Sequence, residues 1–222
     1  MKLVHPEWQS QIVFQENRVQ VLCIENAGYF SRTIQELLYQ RETGKGKFVL
    51  SDGADVYELG KTTELILSPF QLNFDDKRFQ TNIVKRLVQI ANEDEYLESQ
   101  EIRNSVLQYF YQLTGRLEYD VEVGSEFDIQ QLVKLANVRP AFSDESLEAS
   151  VVDYFSLLRD VLGIKLILCV NLRNYFTAER LKSFYETILL KKINLLLLEN
   201  FAKNDKIDCE DWLIVDEDLC EI

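Results

Sequence analysis

Residues 165–200, KLILCVNLRNYFTAERLKSFYETILLKKINLLLLEN, constrain the fold more than any other part of the chain. The stretch opens on a continuous apolar run, 166–170, and closes on another, 193–198. Runs of that kind, without polar alternation, are strands covered on both faces, as in a parallel sheet. Between them Thr177 is placed to cap a helix with Glu179 in its first turn, and Leu181, Phe184, Tyr185, Ile188 and Leu189 recur at helical spacing. Strand, helix and strand in that order predict a βαβ crossover. Such a sheet binds ligands beyond its strand C-termini, here at residues 171–174 and at Glu199-Asn200.

The N-terminal segment repeats the theme. Residues 11–14 and 19–24 read as short strands around a turn at Glu16-Asn17. The second leads through Glu25-Asn26-Ala27-Gly28 into a helix over 29–41 whose inward stripe is Phe30, Ile34, Leu37 and Leu38. A phosphate-binding loop would lie at that turn. It needs G-x-x-x-x-G-K-[ST], with glycines that let backbone N–H groups close on phosphates and a lysine that reaches them. The chain offers ENAGYFSRT, with one glycine and Arg32 in place of lysine, while Thr43-Gly44-Lys45-Gly46-Lys47 follows a helix and precedes a strand and so reads as a turn. Nucleotide hydrolysis is disfavoured. His5 is the only histidine, which leaves Ser–His–Asp and Cys–His catalysis almost without material.

Residues 48–51 and 56–59 flank Asp52-Gly53 as a hairpin, and 63–67 form a further buried strand. The pattern then changes to helical periodicity over 76–114, through Phe79, Ile83, Leu87 and Ile90 and then Ile102, Val106, Phe110 and Leu113, with a bend at the acidic residues 92–95. A shorter helix is expected over 128–136. Ser143 is read as the cap of a helix with Asp144 and Glu145 in its first turn and Gly163 at its end, and 211–215 as the last strand. The expected organisation is an α/β head, 1–70 and 137–222, interrupted by a helical insertion, 71–136. No apolar span of membrane length or signal-peptide core is visible, so a soluble cytoplasmic protein is expected, with no membrane partner. Cys23, Cys169, Cys209 and Cys220 have no C-x-x-C spacing and read as free thiols.

A formal charge of −13 argues against an anionic partner, but eight acids and one lysine lie in 205–222, net −7, so residues 1–204 carry −6. Basic residues occur in small groups: Lys45 with Lys47, Lys134 with Arg139, Arg173 with Arg180 and Lys182, and Lys191 with Lys192. Each group alone reads as solvated surface. A symmetric assembly would add their charge in a common channel, with sequence-independent contacts to phosphates. From charge and loop position the candidate DNA-binding residues are Lys45, Lys47, Lys134, Arg139 and Lys191.

In LEYDVEVGSEFD, residues 117–128, Glu118, Asp120 and Glu122 alternate with apolar neighbours, which in an extended chain places three carboxylates on one face. Gly124-Ser125 permits a turn that brings Glu126 and Asp128 towards them. The segment is either an amphipathic edge strand with a solvated acidic face or a site for a divalent cation, of which Ca²⁺ suits many flexible oxygen ligands.

The chain resembles the ring-forming spacer-acquisition protein of type II-A CRISPR systems, the Csn-two family. The resemblance rests on VQVLCIENAGYFSRTIQELLYQ, LEYDVEVGSEFDIQQLVKLANV, KLILCVNLRNYFT and NLLLLEN…DWLIVDEDL, in order along nearly the whole chain. It implies a P-loop-NTPase-like α/β head with a parallel sheet lacking a Walker A motif, an inserted α-helical leg, and a homotetrameric ring whose lysine-lined hole encloses double-stranded DNA. It implies binding to linear duplex ends, stabilisation by Ca²⁺ near the head–leg junction, no catalysis, and action with the CRISPR integrase proteins and effector nuclease. The Ca²⁺ ligands would be drawn from Glu118, Asp120, Glu122, Glu126 and Asp128. Two other readings stand beside it: a divergent ATPase on the same head, and a protein-binding adaptor of the adaptation complex that uses the acidic tail without DNA contact.

Overall fold

The computed structural model describes residues 1–124, 128–143, 145–202 and 205–222. In chain order these form β1 (Lys2–Val4), β2 (Ile12–Val13), β3 (Val19–Ile24), α1 (Ala27–Thr43), β4 (Val49–Asp52), β5 (Asp55–Tyr57), α2 (Leu59–Thr62) and β6 (Thr63–Ile66). Then come three helices, α3 (Lys77–Glu93), α4 (Tyr96–Thr114) and α5 (Ile129–Leu135). The chain ends with α6 (Leu147–Asp160), β7 (Leu166–Val170), a 3-10 turn (Leu172–Tyr175), α7 (Ala178–Leu190), β8 (Leu195–Glu199) and β9 (Glu210–Val215). Contacts divide it into two compact units, residues 1–73 with 142–222, and residues 74–141.

The first unit is a mixed α/β fold. Its five-stranded sheet runs β6-β7-β8-β3-β9 with every neighbouring pair parallel. The crossover expected over 165–200 is present as β7–α7–β8, and the Thr177 hydroxyl accepts from the Arg180 N–H at 3.3 Å to cap α7. Strand alternation sorts the side chains into two layers. Leu22, Ile24, Leu166, Leu168, Leu196 and Leu198 join one core with α1 and the second sheet. Their neighbours face the buried residues of α6 and α7, among them Phe155, Phe184 and Tyr185. Burying one such aliphatic side chain contributes about 1.5–3 kcal/mol, so these strands dominate the stability of the unit.

The strands read at 11–14 and 19–24, around one turn, belong to different sheets. The order β2-β1-β4-β5 makes a separate antiparallel sheet, and β3 lies between β8 and β9. All six residues of β3 are buried, which only strands on both sides and layers on both faces provide.

The inward face of α1 is also turned from the one expected. Tyr29, Thr33, Leu37 and Gln40 are buried, while Phe30, Ile34 and Leu38 pack at the margin of the core. Polar groups fix that rotation. The Tyr29 hydroxyl accepts from Trp8 Nε1 at 2.9 Å. The Gln40 amide bonds both the carbonyl and the N–H of Phe48, at 2.7 and 2.9 Å. A Cβ at Gly46 would collide with that amide, so the 43–47 turn needs its glycine there, and Gly44 ends α1 at φ 72°.

The cap of α6 is Ser146, whose hydroxyl accepts from the Ala149 N–H at 3.1 Å, rather than Ser143. Ser143 is held outside the helix, with its N–H on Asp153 at 2.8 Å and its carbonyl accepting from the Ser150 hydroxyl. Asp144, expected in the first turn, lies outside the described residues.

In the helical unit, Asp76 caps α3 through the Arg78 N–H at 2.8 Å, and the Asp94 and Glu95 N–H groups both bond the Ile90 carbonyl at the bend before α4. The stripe Ile102, Val106, Phe110 and Leu113 does not become an interior. None of the 19 residues of α4 is buried, and Ile102 and Phe110 remain 50% and 46% exposed.

His5 is buried between Trp8 and Phe48. Its Nδ1 accepts from the Glu7 N–H at 3.3 Å, which places the proton on Nε2, 3.4 Å from the Glu36 carboxylate. Burial lowers the His5 pKa below 6.5 and outweighs the opposing pull of Glu36. The unfolded chain therefore binds a proton that the fold refuses, and stability is lost as pH falls through the unfolded value, about 6.5. The denaturant midpoint is expected to drop between pH 7 and 5.5, and to drop less in His5→Asn; equal slopes in the two proteins would show that His5 is not the titrating group.

Candidate nucleic-acid interface and cation site

The turn between β3 and α1, where a phosphate loop would stand, is occupied by the chain itself. Asn26 Oδ1 accepts from the Tyr29 N–H at 2.9 Å, so a first-turn donor of α1 is already used. Asn26 Nδ2 donates to the Glu217 carbonyl at 3.0 Å. Arg32, which stands in place of the lysine, is paired with Glu7 at 2.9 Å rather than held free for a γ-phosphate.

The acidic end is folded onto the same unit. Val215 and Glu221 form an antiparallel bridge, and the Glu221 carboxylate accepts from the Gln9 and Ser10 N–H groups at 2.6 and 2.8 Å.

Residues beyond the strand C-termini are engaged internally. Asn171, at φ 53°, accepts from the Asn200 N–H at 3.2 Å, and buried Glu199 accepts from the Arg173 N–H at 3.2 Å. Arg173, grouped by sequence with Arg180 and Lys182 as surface charge, is 3% exposed. Its Nε lies 3.0 Å from Glu210, it donates to the Asp205 carbonyl at 2.6 Å, and its guanidinium stacks on Trp212 at 4.8 Å. Glu210 also accepts from the Tyr185 hydroxyl at 2.6 Å and from Trp212 Nε1 and the Ile207 N–H, each at 3.0 Å. Burial first, then the Glu210 carboxylate, holds the Tyr185 hydroxyl in its protonated form far above the usual range. Arg173 is a joint inside the fold and offers nothing to a phosphate.

The five basic candidates divide between the units. On the α/β unit, Lys45 is exposed in the turn after α1, and Lys47 beside it is partly neutralised by Glu7 at 3.0 Å and Glu36 at 3.7 Å. The bond to Glu7 raises the Lys47 pKa. Lys191 is exposed directly after α7. On the helical unit, Lys134 lines a groove of about 610 Å³ between α3 and α5 floored by Val84, Val88 and Val133, and Arg139 reaches Asp75 at 3.7 Å. The same groove is lined by Lys85, which was not among the sequence candidates because it and Arg86 fall inside an amphipathic helical repeat rather than in a loop.

Residues 117–124 take neither helix nor strand, so the alternation of Glu118, Asp120 and Glu122 has no ladder to hold it. All three carboxylates are exposed. Asp128 is committed as the cap of α5, accepting from the Gln130 N–H at 2.9 Å. Glu126 lies outside the described residues. The donor set, all carboxylate oxygen, is chemically suited to Ca²⁺. Among the described residues no three histidine, cysteine or acidic side chains are gathered as one ion would need. All four cysteines are free, Cys23 and Cys169 being buried, and burial pushes the Cys23 thiol up to about 11.

These features define an α/β protein with a parallel sheet, a helical unit of its own, and a capped turn where nucleotide machinery would stand. Residues 40–219 match the family model described as CRISPR-associated protein (Cas_Csn2), and the chain belongs to that family. Its members are non-catalytic, so the protein is a CRISPR-associated protein without enzymatic activity. Comparison with curated proteins gave no match. Among the described residues no helix is long and apolar enough to cross a membrane.

The buried joint gives a stability test. Arg173→Ala strands Glu210 without a countercharge and is expected to cost about 3–5 kcal/mol in urea unfolding. Arg180→Ala, which removes the exposed pair with Glu148 at 3.1 Å, is expected to cost under about 1 kcal/mol. Similar losses would place Arg173 outside the framework of the fold.

Proposed function

We propose that the protein is a ring-forming binder of linear double-stranded DNA that acts in CRISPR spacer acquisition with the integrase proteins and the effector nuclease. The family supports the pathway. The observation that carries the assembly is α4: Ile102, Tyr109, Phe110 and Leu113 lie 40–59% exposed along one stripe of a helix with no buried residue. A solitary copy gains little by keeping such a stripe in water, and a second copy of the chain is the partner that covers it. Assembly also answers the charge. An acidic chain holds an anionic polymer when several copies pool Lys45, Lys134, Arg139 and Lys191 around one hollow. In this reading the α/β unit is a P-loop-NTPase-like head that has lost its nucleotide site, the helical unit is a leg, and the ring is a tetramer. Ca²⁺ binding by Glu118, Asp120, Glu122, Glu126 and Asp128 belongs to the same proposal, with the ligands drawn together on assembly.

Linear duplex is expected to shift in a gel while closed circular duplex of the same sequence does not. The shift should weaken with salt and with chelator. Equal affinity for both forms removes threading. Phe110→Glu is expected to lower the solution mass from tetramer towards monomer; a mass unchanged in that variant would place the subunit contact elsewhere. A wild-type protein that stays monomeric in millimolar Ca²⁺ would end the ring proposal.

A further inference from the structure

A pocket of about 270 Å³ lies where β7 and β8 begin, and none of the five basic residues assigned above to DNA lines it, although Lys191 adjoins Lys192 of the lining. Three cations from separate segments line it: Arg159 from the last turn of α6, Lys165 immediately before β7, and Lys192 after α7. The one carboxylate in the lining, Asp52, is held by the Met1 amino group at 3.2 Å. Arg159 reaches Asp160 at 3.3 Å, but among the described residues neither Lys165 nor Lys192 pairs with a carboxylate. In a chain with 37 acidic and 24 basic residues, that is a local reversal of sign. The Lys165 ammonium lies 4.6 Å from the centre of the Tyr57 ring, a contact that orients its charge without cancelling it.

Helix ends offer a competing explanation, because cations favour helix C-termini and both α6 and α7 end beside this pocket. The backbone has already closed those ends. The Gly163 and Ile164 N–H groups bond the Arg159 and Leu158 carbonyls, and the Lys191, Lys192 and Ile193 N–H groups bond those of Thr187, Leu189 and Ile188. The orphan carbonyls are largely satisfied, so the side chains keep their donors for something else.

We propose that this pocket binds a phosphate group. A tetrahedral dianion can accept charge-assisted hydrogen bonds from a guanidinium and two ammonium groups at once, and it matches the excess of positive charge better than a carboxylate does. The volume falls below that of a typical cofactor site, so it suits one or two phosphates rather than a whole nucleotide. The phosphate is either free or the terminal group of a DNA strand; only the second source rests on the proposed function.

The test is calorimetric titration of the full-length protein with inorganic phosphate and pyrophosphate, beside anisotropy of duplexes carrying 5′-phosphate or 5′-hydroxyl ends. Each is repeated with Lys165→Ala/Lys192→Ala and with Lys61→Ala as a surface control. Saturable phosphate binding that weakens about a hundredfold in the double variant, about tenfold per lost ammonium, and not in the control establishes the site. Preference for 5′-phosphorylated ends, lost in the double variant, identifies the DNA terminus as its source. Equal affinity for both ends with phosphate binding intact identifies free phosphate. No saturable phosphate binding, or binding that the double variant leaves unchanged, overturns the proposal. Failure of DNA binding with the phosphate titration intact would sink the DNA reading alone.

Discussion

One buried ion pair ties the parallel sheet together. β8 and β9 flank β3, so the chain between Glu199 and Glu210 must pass across β3 before it can join the sheet. Arg173 holds both ends of that passage: its N–H bonds Glu199, and its guanidinium meets Glu210 and the Asp205 carbonyl. A charge in such a place is tolerable only when its remaining hydrogen-bonding capacity is filled. Tyr185, Trp212 and the Ile207 N–H fill that of Glu210. The ion pair therefore gives the edge strand β9 a defined position, and β9 in turn encloses β3.

That dependence limits what the end of the sheet can do. In open α/β sheets the crevice beyond the strand C-termini is the usual ligand site. Here Asn171, Asn200, Glu199 and Arg173 bond one another, and Asn26 closes the start of α1. The groups that would receive a nucleotide are spent on the architecture, which agrees with a non-catalytic family. Free positive charge is displaced to the opposite ends of the strands, where Lys165 and Lys192 stand, and to Lys134 on the helical unit.

The long elements were legible because burial writes itself into composition. The apolar runs of β7 and β8 and the 3.6-residue periodicity of α7 predict their own structure, and so does the Thr177 cap. Three kinds of feature were not legible. β1 has three residues and β2 two, too few to carry a period, so nothing in the sequence separates β2 from β3 into different sheets. The rotation of α1 is set by Gln40 acting as a surrogate strand edge for Phe48, a role that a glutamine's sequence position does not announce. Ser143 and Ser146 are both followed by acids, and the choice of cap falls to Asp153, ten residues from Ser143, which draws its N–H away.

The site was harder to read than the fold because charge has no period. Arg173 and Arg180 look alike in sequence, yet one is buried against Glu210 and the other is exposed beside Glu148. Lys47 looked free, and Glu7 and Glu36 reach it from two other segments. Glu118, Asp120 and Glu122 alternate as a strand would, but residues 117–124 join no sheet, so the alternation fixes no common face. Periodicity reports which face an element buries, not which counter-charge the rest of the chain brings to it. α4 is the informative exception: Ile102, Phe110 and Leu113 recur at helical spacing, and all three remain exposed. A pattern that predicts burial, set on a helix with no buried residue, is what the proposed self-assembly would account for.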